Sequence, residues 1–195
     1  MTHKKIMLFD GTSTDGWTTK EGQPINWTID EEGALVVGTD DIISKETYGD
    51  AHIHVEFWLP NMPEATGQAK ANSGVYVHGE YEIQVLDSYG VEEYTDSDCS
   101  GIYEQHRPLI NANLPPETWQ TYDIYFRAPT FNNDGEIVQN GRLTLLFNGQ
   151  CVHNNVELFH RTPGGYRRKR VPVGPLLLQD HDNKVRYRNI WIEKL

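Results

Sequence analysis

Glu82, Gln84 and Asp87 fall within one short run, Tyr81-Glu82-Ile83-Gln84-Val85-Leu86-Asp87-Ser88, whose other residues suit a buried β-strand. Residues two apart on a strand point to one face, so Glu82 and Gln84 share a face while Ile83 and Val85 share the other. A one-residue bulge beyond Gln84 would return Asp87 to the Glu82 side, and bulges recur beside active sites. Carboxyl groups on a sheet surface can hold sugar hydroxyls or move protons on a sugar. A solvent-exposed antiparallel strand alternates in the same way, so this strand by itself leaves both readings open.

Other segments repeat the pattern. From Ala51 to Trp58, His52, His54 and Glu56 alternate with Ile53, Val55 and Phe57. Two imidazoles and a carboxylate at alternate positions are ligands that a divalent metal accepts, with His54 and Glu56 the candidate pair, and they equally suit a solvated or sugar-facing strand. From Leu176 to His181 an apolar strand ends in Gln179-Asp180-His181. An imidazole at a sheet margin can shuttle protons, and His181-Asp182-Asn183 also reads as a surface turn. Arg186 and Arg188 share a face, where an arginine either orients a substrate oxygen or pairs with an acid. Asn72-Ser73-Gly74 opens a strand with side chains that bind sugar hydroxyls or cap a turn. Five tryptophans offer platforms for a sugar ring or fill the core.

The elements that must position these groups are strands. Turn signals recur along the chain: Asp30-Glu31-Glu32-Gly33 between two short strands, Gly79 between Ser73–His78 and Tyr81–Leu86, and Asn148-Gly149 between Arg142–Phe147 and Gln150–His153. Leu176–His181 and Val185–Ile192 read as neighbouring closing strands, and 60–72, 88–118 and 128–141 as loops. No segment sustains helical periodicity, so the expected fold is an all-β sandwich in one domain spanning 1–195.

Composition narrows the partners. The 195 residues are 37% hydrophobic with a net charge of -11, which disfavours nucleic acid and anionic membranes. The basic run Arg167-Arg168-Lys169-Arg170, flanked by Gly164-Gly165 and Pro172, reads as a solvated loop. Cys99 and Cys151 form no disulfide framework or metal-ligand cluster. No apolar stretch is long enough to span a bilayer, and no export signal is legible at the N-terminus. The expected location is therefore cytoplasmic, or periplasmic or secreted if an export signal has been removed.

Taken in order, the blocks Leu8-Phe9-Asp10-Gly11, Asn72-Ser73-Gly74-Val75-Tyr76, Tyr81 to Ser88, Gly101-Ile102-Tyr103, Thr118 to Tyr122, Asn148-Gly149, Val152 to Leu158, Gly174 to His181 and Val185 to Trp191 resemble the 3-keto-disaccharide hydrolase family along nearly the whole chain. Gln150-Cys151 and Asp182 depart from the family pattern at positions peripheral to the chemistry. The resemblance implies a concanavalin A-like jelly-roll β-sandwich of two antiparallel sheets, and a carbohydrate partner whose C3 hydroxyl has been oxidised to a ketone. Such a ketone acidifies the C2 proton, so a base can remove it and the C1 aglycone leaves by β-elimination, with or without rehydration. On this reading Glu82 or Asp87 is the base and His181 the acid or shuttle. Glu56, Asn72, Gln84, Tyr103, Gln179 and Arg188 hold the sugar, and a metal at His54 and Glu56 could polarise the carbonyl.

The spacing Glu82-x-Gln84-x-x-Asp87 also parallels the catalytic strand of retaining β-glucanases, which use two carboxylates about 5–5.5 Å apart. A non-catalytic carbohydrate-binding module and a partner-binding sandwich are the remaining alternatives.

Overall fold

A computed structural model describes residues 4–166 and 169–195. Fifteen strands follow one another: β1 (Lys5–Phe9), β2 (Trp17–Thr19), β3 (Thr28–Ile29), β4 (Leu35–Val36) and β5 (Ile42–Tyr48). Next come β6 (Ala51–Trp58), β7 (Ser73–Val77), β8 (Tyr81–Val85), β9 (Trp119–Arg127) and β10 (Thr130–Phe131). The last are β11 (Ile137–Gln139), β12 (Gly141–Phe147), β13 (Gln150–Leu158), β14 (Gly174–Leu178) and β15 (Arg186–Lys194). Among the described residues the helical content is one 3-10 turn, Gly67–Ala69.

Two antiparallel sheets make the sandwich, which is the concanavalin A-like architecture expected. The larger is eight-stranded, ordered β13-β12-β9-β6-β15-β4-β3 with β1 also paired to β15. The smaller is five-stranded, ordered β2-β5-β14-β7-β8. Period-two patterning explains the packing: Ile53, Val55 and Phe57 of β6 and Tyr122, Ile124 and Phe126 of β9 are fully buried. They meet Val75, Val77, Ile83, Val85, Leu176 and Leu178 from the smaller sheet in one continuous core. The predicted Asn148-Gly149 hairpin joins β12 to β13, both residues at positive φ as a tight turn requires.

Three expectations change. β14 and β15 are consecutive but lie in different sheets, because β15 feeds back between β6 and β4 while β14 enters between β5 and β7. Segment 128–141 is not a bare loop but carries the β10–β11 ribbon. In the basic run, Arg167 and Arg168 lie outside the described residues. Arg170 is only partly exposed, donating to Asn140 Oδ1 at 2.7 Å and to the Leu158 carbonyl at 3.3 Å, so it anchors the β13–β14 connection rather than standing in solvent.

Candidate active site

The hairpin β7–β8 turns through His78 and Gly79, at φ of 57° and 66°, a conformation that keeps the two strands tightly twisted together. The turn fixes the register: Tyr76 lies opposite Glu82, and Gly74 opposite Gln84. On the other side β14 sets Leu177 opposite Tyr76. Tyr76, Gly74, Glu82, Gln84 and Gln179 therefore all project from the outer face of the smaller sheet, away from the core.

Tyr76, Glu82, Gln84 and Gln179 floor a cavity of about 300 Å³. Gln68 and Asn72 close one side, Tyr103 another, and Pro163 and Gly164 of the β13–β14 connection a third. His181 stands exposed at the rim. β8 is an edge strand, and Glu82 ties two walls to it through its own backbone. Its N–H donates to Thr162 Oγ1 at 3.0 Å, and its carbonyl accepts from the Tyr103 N–H at 3.2 Å.

Burial sets the electrostatics. Glu82 is 4% exposed, Gln84 2% and Asn72 1%. Loss of water around Glu82 pushes its carboxyl up to about 7, a hydrogen bond from Tyr76 opposes the rise, and the acids Asp41 and Glu104 add to it. Tyr76 is raised well above the ordinary phenol value, first by burial and then by the charge of Glu82. Its hydroxyl accepts from Gln179 Nε2 at 3.1 Å. Asn72 donates to the Gln68 carbonyl at 2.7 Å, but its Oδ1 has no partner, and neither has Gln179 Oε1. Buried acceptors without donors are costly, so these two oxygens are suited to ligand hydroxyls. Gly74 is required beneath them: a Cβ there would lie 2.7 Å from Glu82 Oε1 and 2.9 Å from Tyr76 Cε2.

The family model for the 3-keto-alpha-glucoside-1,2-lyase-like domain matches residues 4–193. The chain belongs to that family. A candidate glycosyl hydrolase from Parabacteroides distasonis ATCC 8503 is 33% identical, with a TM-score of 0.89 over 98% of this chain and 84% of that one. A second from the same organism is 20% identical, with a TM-score of 0.66 over 98% of this chain and 94% of that one. A carbohydrate-binding module, CBM66 from Bacillus subtilis, shares the fold at 12% identity and a TM-score of 0.54, covering 92% of this chain and 96% of that one. No curated protein matches the sequence.

Within this lyase-like domain, the residues singled out in the sequence divide into two groups. Glu82, Gln84, Asn72, Tyr103, Gln179 and His181 all line the one cavity. Asp87 does not line it. The β7–β8 register runs without a bulge to Val85, and the Asp87 carboxylate turns to Lys70 Nζ at 2.9 Å. Glu56 and Arg188 lie directly opposite each other in the larger sheet and pair there at 2.6 Å. His54 sits beside them, bonded through Nδ1 to Asp123 at 2.9 Å. This second group covers the far face of the sandwich, with the core between it and Glu82, so neither Glu56 nor Arg188 reaches a sugar in the cavity. His54 and Glu56 approach to 3.6 Å, yet among the described residues no group of three His, Cys, Asp or Glu side chains is arranged to hold a metal ion.

Sequence reasoning passed over Tyr76 and Gln68. Tyr76 sits in an apolar-looking run, but pairing the strands about Gly79 already sets it opposite Glu82, and that was the available signal. Gln68 lies in an irregular segment with no such register to place it.

Proposed function

We propose that this protein cleaves the glycosidic bond of 3-keto-glycosides by removing the C2 proton and expelling the C1 aglycone. The observation that carries the reading is a single buried carboxyl, Glu82, held near neutrality in a sugar-sized cavity. A base that removes a carbon-bound proton at neutral pH works best with its own pKa close to 7. Among the described residues Glu82 is the only acid lining that cavity, and Asp87 is engaged by Lys70. A retaining glucanase needs two facing carboxyls, so a one-acid site favours elimination.

Asn72 Oδ1 and Gln179 Oε1 accept hydrogen bonds from sugar hydroxyls, and Tyr103 packs against the ring. His181, at the solvent rim, moves the protons needed when water adds back to the enone. Water adding back to the enone gives net hydrolysis.

The test is aglycone release from a 3-keto-glucoside and from its unoxidised parent, each with and without a chelator. Release from the keto form alone is expected. Release from the parent would point to a conventional glycosidase, and sugar binding with release from neither to a non-catalytic module. Chelator sensitivity would establish a metal requirement.

A further inference from the structure

Resting on that reading, we propose that Tyr76 is the catalytic acid that protonates the departing glycosidic oxygen, working with Glu82 as a closed proton circuit. Three observations carry this. The first is register: Tyr76 and Glu82 are directly opposed on neighbouring strands, so both project from one side of the sheet into the cavity. The second is what meets the hydroxyl: it accepts from Gln179 Nε2 at 3.1 Å, and the Glu82 carboxyl opposite is close enough for each group to shift the other's proton affinity. That N–H stabilises the oxygen once its proton has gone. The third is access: over the hydroxyl lies Gly164, where even a Cβ would stand 3.6 Å away, so the phenol is roofed by a residue without a side chain.

The step balances within the dyad. Glu82 carboxylate takes the C2 proton, and the C2–H electron pair becomes the C1=C2 bond. The C1–O bond breaks, and its pair goes to the aglycone oxygen, which takes the Tyr76 hydroxyl proton. Glu82 then returns a proton to the phenolate opposite it on β7. Glycoside becomes enone plus alcohol, nothing is oxidised or reduced, and both residues end as they began.

Charge makes the two transfers support each other. While Glu82 is ionised, its charge and its hydrogen bond hold the proton on Tyr76. Capturing the C2 proton removes that charge, so Tyr76 becomes a better acid as the leaving group needs one.

The experiment compares two 3-keto-glucosides that differ only in aglycone, methanol and 4-nitrophenol. Nitrophenolate leaves without help, whereas methoxide must be protonated. Tyr76→Phe is expected to lower kcat/KM on the methyl glycoside by about 10²–10⁴-fold and on the nitrophenyl glycoside by less than about tenfold, while Glu82→Gln is expected to lose both. Gln179→Met removes both the N–H on the phenol and the oxygen offered to a sugar hydroxyl, so both glycosides are expected to lose activity, the methyl glycoside about tenfold more than the nitrophenyl one. This variant keeps the question answerable if Tyr76→Phe fails to fold. Equal losses on both aglycones would make Tyr76 only a holder of Glu82 and overturn its role as acid, as would full activity of Tyr76→Phe. If the unaltered protein released neither aglycone, the 3-keto reading itself would fall, an outcome distinct from either of those.

Discussion

The sandwich has two polar outer faces, and they differ in how their polar groups are satisfied. On the larger sheet polar groups meet partners: Asp123 bridges His52 and His54, Arg188 pairs with Glu56, and Arg186 with Asp30 and Glu32. Aromatic rings fill in between, with His54 stacked on Trp191 and the Arg188 guanidinium 4.0 Å over Trp119. On the smaller sheet, among the described residues, the cavity holds a carboxyl without a cation and two buried amide oxygens without donors. Satisfied polar faces hold a structure together, whereas unmet polarity under burial is retained where something must bind or react.

The comparison can be broken at several points. Gly74→Ala would put a methyl group 2.7 Å from Glu82 Oε1, and displacing that carboxyl is expected to cut kcat/KM by about 10²-fold. A displacement effect requires the variant to remain folded, which its circular dichroism and melting curve would establish. Activity near that of the unaltered protein would mean that the floor of the cavity does not set the position of Glu82.

Next in size is the stability cost of Glu82. Its carboxyl titrates near 7 when folded and near 4.5 when unfolded, so the folded state holds the extra proton between these values. Stability therefore falls as pH rises from about 4.5 to 7 and then levels off, at a total cost of about 3 kcal/mol. Glu82→Gln should be the more stable protein at pH 8 and lose that advantage toward pH 4.5, as denaturant melts at several pH values would measure. The same titration predicts that kcat/KM rises with pH through about 7. A pH-independent difference in stability between the two proteins would sink the assignment.

The smallest effect belongs to the far face. Arg188→Ala removes a partly exposed ion pair and a ring contact, and is expected to cost about 1 kcal/mol in unfolding free energy. Activity should change by less than about twofold, since distant sites act independently. A large loss of activity with little loss of stability would return Arg188 to the substrate and erase the distinction between the faces.

Much of this is legible in the sequence because a strand's side chains alternate strictly. The period-two runs of β6, β8 and β9 and the Asn148-Gly149 turn specify which residues face the core. Glu82, Gln84, Asn72 and Gln179 stand out because polar groups interrupt strands that are otherwise apolar. Glu56 and Arg188 stand out for the same reason, and alternation cannot say that they face each other across β6 and β15. Asp87 carries the right spacing, but a bulge depends on the partner strand, and β7 pairs in regular register.

By itself the sequence determined most of the strands, though not β2, β5 or the β10–β11 ribbon, together with their inward faces and a list of polar side chains able to handle a sugar, because these depend on local periodicity and side-chain chemistry. Only the tertiary structure decided which sheet each polar face belongs to, that β14 and β15 part company, and that Gln179 meets Tyr76 beside Glu82. Those outcomes depend on pairing between segments far apart in the chain. So does the burial that lifts the Glu82 carboxyl toward neutrality, since the walls enclosing it come from Gln68, Tyr103 and Gly164, which meet only when the chain is folded.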